Sequence, residues 1–166
     1  MNNQEIIRAL KEKASKGDGK KQSQENYKKY VVFNLSGKPF ALPAEEVKEI
    51  SFDNALYYIP FVPPYIRGYA NRHGQPYTVL DLKMLFDNEL LNSNTLLVLN
   101  IQNDQDCLLI TDVDEIIKVP EKDIHTLASS DDISRYFLES VTVKEKEIFV
   151  LNIATILERL ERDLER

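Results

Sequence analysis

The chain has 166 residues, 43% hydrophobic and 29% charged, which suits one domain or two small units sharing a core. No apolar run reaches the ~20 residues of a membrane helix. The polar N-terminus MNNQEIIRALKEK is no secretory leader, and the lone Cys107 excludes an internal disulfide framework and fits a reducing cytoplasm. The net charge of −6 is unevenly spread: residues 1–29 hold eight basic and four acidic side chains, and the remainder holds 13 and 23. A body at −10 repels nucleic acid and anionic membrane surfaces.

In chain order, Ile6, Ile7 and Leu10 sit at helical spacing, too few to hold an isolated helix, so the tail is expected frayed or helical only when docked. SKGDGKKQSQENYKK is nearly free of apolar residues and predicts a flexible linker, giving a basic tail over 1–29 and a body over 30–166. Val31, Phe33 and Leu35 alternate with Val32 and Asn34, the period of a strand. Ser36-Gly37-Lys38-Pro39 is a turn, and Phe40–Leu42 a returning strand. Glu45–Glu49 predicts one helical turn, before VKEISF extends again. Pro60, Pro63 and Pro64 impose an irregular crossing, followed by a strand over 75–80.

Asp81 is placed to N-cap a short helix holding Leu82, Leu85 and Phe86. Leu96–Ile101 is apolar almost throughout, as in a strand buried on both faces, and a polar turn over Asn103–Asp106 leads to further strands. YFLESVTV and IFVLNI pair around KEKE. The chain closes on a helix over 152–165, capped by Asn152, with Ile153, Ile156, Leu157, Leu160 and Leu164 on one face and Glu158–Arg162 as an i,i+4 ion pair. Many short strands and one terminal helix predict a mainly β fold of small barrels, with halves over about 30–90 and 91–152.

YIRGYANRHGQPYTVLDLKMLF, residues 65–86, invites a chemical reading. Gly68 and Gly74 precede no Gly-Lys-Ser/Thr, and no GxGxxG opens a long helix, so a phosphate loop is not indicated. His73 and His125 are 52 residues apart, without the short spacing of metal ligands. His125 lies in a polar segment expected to be a solvated loop. Asp81, Asp112, Asp114 and Glu115 are the candidate acids; Asp112 and Asp114 share a strand face beside core residues and suggest no catalytic pair. Cys107, inside CLLI, is expected to be buried and inert. Neither catalytic nor metal-binding residues are assigned, and no cofactor. An oligonucleotide-binding barrel remains as an alternative, with Tyr57, Tyr58, Tyr65, Tyr69 and Tyr77 stacking bases and Arg67 and Arg72 on phosphates.

YVVFNL, LPAEEVKEI, the Pro-rich crossing, IRGYANRHG and VLDLK together resemble the CheW family of chemotaxis coupling proteins; weaker similarity runs through LLITDVDEIIKVPEKDI and FLESVTVKEKEIFVLNIATIL, to cover about residues 28–157. The resemblance implies two five-stranded SH3-like β-barrels sharing a core, and a non-enzymatic cytoplasmic scaffold. Its implied partners are the regulatory domain of the histidine kinase CheA and the cytoplasmic hairpin tip of chemoreceptors, held in membrane-associated arrays without membrane insertion of its own. An adaptor for a CheA-like kinase in another pathway, such as surface motility, is the alternative within the family. By position, the resemblance assigns Val47 and Gly68 to the kinase, and Glu49, Ile50, Arg67, Arg72 and His73 to the receptor-facing region. It departs from the family at Asn71-Arg72-His73-Gly74, where relatives carry Asn-Leu-Arg-Gly, and at Thr78, Thr111 and Ser140, where they carry proline, aspartate and glycine. Histidine lacks arginine's bidentate fork and is mostly neutral at pH 7. If Gly68 only leaves room for a partner, Gly68→Arg is expected to weaken kinase binding with the fold intact.

Overall fold

The computed structural model describes residues 3–8 and 26–165. Residues 3–8 form a short helix, α1, with Ile6 and Ile7 exposed; Leu10 and most of the expected linker lie outside the described residues. The body starts three residues earlier than its composition suggests. Tyr27–Lys29 belong to the first strand and pair with Pro120, Val119 and Lys118.

The strands are β1 Tyr27–Leu35, β2 Lys38–Pro43, β3 Val47–Ser51, β4 Ile66–Arg72, β5 Gln75–Leu80 and β6 Thr95–Leu99. They continue as β7 Asp106–Ile110, β8 Asp112–Pro120, β9 Ile124–Thr126, β10 Phe137–Val143 and β11 Lys146–Leu151. Two further helices, α2 over Leu82–Asp87 and α3 over Ile153–Leu164, complete the body. The helical turn expected over Glu45–Glu49 is only the 3-10 turn Ala44–Glu46; Val47–Glu49 is drawn into β3 by pairing with Leu99 and Val98 of β6. His125 lies on β9 opposite Ser140, not in a loop.

The six-stranded sheet is ordered β8-β1-β2-β11-β10-β9, and the five-stranded sheet β3-β6-β7-β5-β4. The fold is thus mainly β with a C-terminal helix. The division expected near residue 90 is not the division of the sheets, because β1 and β2 join β8–β11 while β6 and β7 join β3–β5. A local reading finds strands but not their partners, since pairing between distant strands leaves no period in the sequence.

Alternation along β1 and β2 shows how one sheet serves two cores. Tyr30, Val32 and Ala41 face a cluster with Ile117, Val119, Val141, Ile148 and Val150. Phe33, Leu35, Phe40 and Leu42 face the larger cluster, which holds both faces of β6 and the apolar stripe of α3. β6 is buried at every position, as a run apolar almost throughout predicts, though the strand spans Thr95–Leu99 rather than Leu96–Ile101. Each such Leu or Ile side chain contributes about 1.5–3 kcal/mol by leaving water. Asn152 caps α3 by accepting from the Thr155 amide at 3.3 Å. Among the described residues the i,i+4 ion pair of α3 is Arg159–Asp163, at 2.7 Å, rather than Glu158–Arg162. Asp163 also accepts from the Tyr65 hydroxyl, at 2.7 Å, fastening α3 to the start of β4.

β4 is an edge strand, and the crossing from β3 covers part of its edge. The Tyr57 amide donates to the Tyr69 carbonyl at 2.8 Å, and the Tyr69 amide to the Tyr57 carbonyl at 2.9 Å. The two rings stack, their centroids 5.1 Å apart. Gly68 lies beneath this bridge at φ +128°, where a β-carbon would stand 2.0 Å from the Tyr57 carbonyl oxygen and 3.3 Å from the Tyr58 Cα. Backbone atoms cannot swing aside as a side-chain end does, so the expectation that Gly68→Arg leaves the fold intact is overturned.

Two predictions follow from this packing. Gly68→Arg, and equally Gly68→Ala, forces the crossing off β4 and breaks the bridge, at about 2–4 kcal/mol, read as a lower urea midpoint. The second concerns Asp106, buried beside α3 with its pKa pushed up to about 6 by burial first, then by Asp104 and Glu161. A folded-state pKa above the unfolded value means that stability is lost as pH rises, here from about 4 to just above 6. Asp106→Asn removes that loss, so its stability advantage in urea titrations grows from near zero at pH 3.5 to at most about 3 kcal/mol at pH 7.5.

Candidate functional site

β3 and β4 stand at opposite ends of the five-stranded sheet, yet the sheet curls until their side chains meet. Glu49 Oε1 on β3 accepts from Arg72 Nη2 at 2.5 Å and Nε at 3.2 Å on β4. The Arg72 hydrogen bonds hold the Glu49 carboxyl below its ordinary pKa, with Lys48 and His73 adding smaller electrostatic pulls in the same direction. The pair is partly exposed, 21% for the Arg72 side chain and 34% for Glu49, so its net contribution is about 0.2–1 kcal/mol. It closes the seam loosely and leaves both charges within reach of a partner.

Beside the seam, Arg72 and Gln75 flank the two-residue loop His73-Gly74, with φ values of +51° and +80°. Two successive positive φ angles make a type I′ hairpin, the form whose twist matches antiparallel strands. His73 is therefore an exposed turn residue in a conformation that histidine adopts less readily than asparagine or glycine. Val47 and Ile50 on β3 are half-buried, packed against the large core with only part of each side chain left at the surface.

The structure thus brings Glu49, Arg72 and His73 together at one corner, with Val47 and Ile50 along the adjoining strand. Arg67 is separate, at the other end of β4. Its Nη1 donates to Asp81 Oδ2 at 2.8 Å and to the Leu91 carbonyl at 2.9 Å. Asp81 is fully buried; its Oδ1 accepts from the Met84 amide at 3.0 Å and its Oδ2 from the Leu91 amide at 2.9 Å. The cap expected at Asp81 is present, and the same carboxylate also neutralises Arg67 and ties down the loop before β6. Fourteen residues separate Arg67 from Asp81, and only the β4–β5 hairpin brings them together.

The residues proposed for nucleic-acid contact are dispersed. Tyr65 is buried, Tyr77 packs against the core, and both arginines hold carboxylates, leaving Tyr57, Tyr58 and Tyr69 exposed. Asp112 and Asp114 have separate roles: Asp112 Oδ1 accepts from the Val113 amide at 2.8 Å, and Asp114 Oδ1 from Asn34 Nδ2 at 2.8 Å. Cys107 is buried, which pushes its thiol pKa up to about 12, in keeping with an unreactive side chain. A groove of about 700 Å³ opens beside the β1–β2 turn, walled by Phe40, Phe86, Phe137 and Phe149, with Lys38 and Asp131 among the charged groups at its rim. Among the described residues no helix is long and apolar enough to cross a membrane, and no group of three or more His, Cys, Asp or Glu is arranged to hold a metal ion.

Sequence reasoning missed the Tyr57 cover over Gly68 and the two further roles of Asp81, its pairing with Arg67 and its hold on the Leu91 amide. Gly68 carried the one available signal, since glycine is required where another backbone segment approaches this closely.

The model of the CheW-like domain matches residues 29–161. Among solved structures, this fold is similar to the crystal structure of the scaffolding protein TtCheW from Thermoanaerobacter tengcongensis. The two share 25% sequence identity at a TM-score of 0.70, over 76% of this chain and 90% of that one. Among curated proteins, none matches the chain. The family match spans well over half of the residues, and the chain belongs to the CheW family.

Proposed function

We propose that this chain is a non-enzymatic scaffold that couples chemoreceptors to the histidine kinase CheA in chemotaxis arrays. The observation that carries the reading is the CheW-like domain match across nearly the whole body, together with similarity to a protein named as a scaffold. Members of the family are non-catalytic scaffolds, which supports the absence of a chemical step. The geometry fits such work. Val47 and the region over Gly68 are proposed for the kinase, and Glu49, Ile50, Arg72 and His73, gathered at the β3–β4 seam, for the receptor tip. Arg67 serves that region indirectly, because its guanidinium is occupied by Asp81 and the Leu91 carbonyl. Its proposed part is to hold β4 in place rather than to touch the receptor. The site of action proposed is the cytoplasmic face of the membrane, reached through protein contacts.

The test is a titration of the full chain with a purified CheA regulatory domain and, separately, with a chemoreceptor hairpin-tip fragment. Saturable 1:1 binding to each is expected, and binding to neither overturns the reading. Position 73 offers a finer measurement. His73→Arg supplies a permanent cation beside the seam and is expected to tighten binding to an acidic receptor tip about two- to five-fold, the range of an exposed ion pair. A flat or weakened affinity removes position 73 from the receptor surface.

A further inference from the structure

Residues 54–66, NALYYIPFVPPYI, contain no charged side chain in a chain that is 29% charged. This segment crosses the outside of the molecule. Tyr57 is 49% exposed, Tyr58 80%, and Phe61 is fully exposed. Phe61 also has φ +62°, the left-handed region that bulky residues seldom enter. A ring held in water by a strained backbone benefits neither the core nor the fold, and such outliers cluster where a ligand or partner is gripped. The crossing is also stiff. Pro60, Pro63 and Pro64 fix its course, the Ile66 amide donates to the Pro63 carbonyl at 3.0 Å, and the Tyr57–Tyr69 bridge pins it to β4.

Gly68 lies directly under Tyr57 and Tyr58 and is buried, so no partner reaches it without first meeting the crossing. We infer that the kinase contact assigned to Gly68 is made by the crossing above it, with the Phe61 ring as its anchor and Tyr58 beside it, and that Gly68 is a positioning residue. The inference rests on the kinase-coupling reading above. The partner surface it requires is an uncharged apolar one on the kinase regulatory domain, with a depression that takes an aromatic ring. Interface centres are depleted in charge and rich in aromatic side chains, and a pre-formed segment loses little freedom on docking. The acidic body argues against a lipid surface as the occupant.

The experiment compares the wild-type chain with Phe61→Asn and Tyr58→Ala in titrations against the purified CheA regulatory domain, at low and high salt. Asparagine accepts the left-handed backbone, so Phe61→Asn is expected to melt at or above the wild-type temperature. It is expected to weaken binding about 10–100-fold, as loss of a buried aromatic anchor does. Tyr58→Ala is expected to weaken it less, and wild-type affinity to change less than about three-fold between 50 and 500 mM salt, because the contact is uncharged. Wild-type binding that is undiminished in both variants overturns this inference and leaves the coupling function standing. Absence of wild-type binding overturns both. Loss of self-association or of neutral-vesicle binding in Phe61→Asn, with kinase affinity unchanged, assigns the crossing to a second copy or to lipid and overturns the inference as well.

Discussion

A buried carboxylate holds the second sheet in register with its surroundings. Asp81 is fully buried and receives hydrogen bonds from two amides and one guanidinium. A carboxylate away from water is tolerated only when such partners replace its hydration. Each partner belongs to a different element: Met84 to α2, Leu91 to the loop before β6, and Arg67 to β4. The Asp81 amide in turn donates to the Tyr65 carbonyl at 2.7 Å, and the Tyr65 hydroxyl reaches Asp163 of α3. Removing one partner leaves a charge stranded in the core, so these elements are fixed relative to one another more firmly than apolar packing alone would fix them.

The two surfaces proposed for partners are built on this frame from weaker interactions. The β3–β4 seam is closed by one partly exposed ion pair, and the adjoining hairpin turns on two residues with positive φ. On the far side of β4, two backbone hydrogen bonds and a ring stack hold the crossing. A scaffold that must be matched by partners needs a rigid base and a periphery whose side chains can exchange an internal partner for an external one. Glu49 and Arg72 fit that description; Arg67 and Asp81 do not.

Much of the fold was legible because it is written in local chemistry. The alternation of β1, the largely apolar run of β6, and the cap residues Asp81 and Asn152 each express a preference that acts over a few residues. What the sequence concealed acts across longer spans. Glu49 and Arg72 are 23 residues apart, Arg67 and Leu91 are 24 apart, and the residue that covers Gly68 lies 11 positions before it. No periodicity reports such contacts, because they depend on how strands are ordered, and here the two sheets interleave the chain. The helical turn expected over Glu45–Glu49 shrank to Ala44–Glu46, because pairing with β6 drew Val47 and Glu49 into a strand. The candidate site was legible only as a set of positions; its division into a seam and a separate arginine held by buried Asp81 required the folded chain.

Arg67 and Gly68 are neighbours in sequence and serve opposite sides of β4. Arg67 sends its side chain to Asp81, while the missing side chain of Gly68 admits the Tyr57–Tyr58 backbone. The register shift between Ile66 and Gly68 falls between these roles and lets one short stretch meet both demands. A force on the crossing is therefore delivered to the peptide next to the arginine that holds the Asp81 node. Along the same strand, five residues from Arg67, Arg72 closes the seam. β4 thus touches both proposed surfaces, at Gly68 and at Arg72, and β3 does so too, through Val47 and Glu49. The internal anchor of β4 is strong and its terminal ion pair weak, so strain applied at the crossing is relieved most readily at the seam. Because that pair is worth only about 0.2–1 kcal/mol, its exchange alone carries a coupling of at most about that size between the two proposed surfaces.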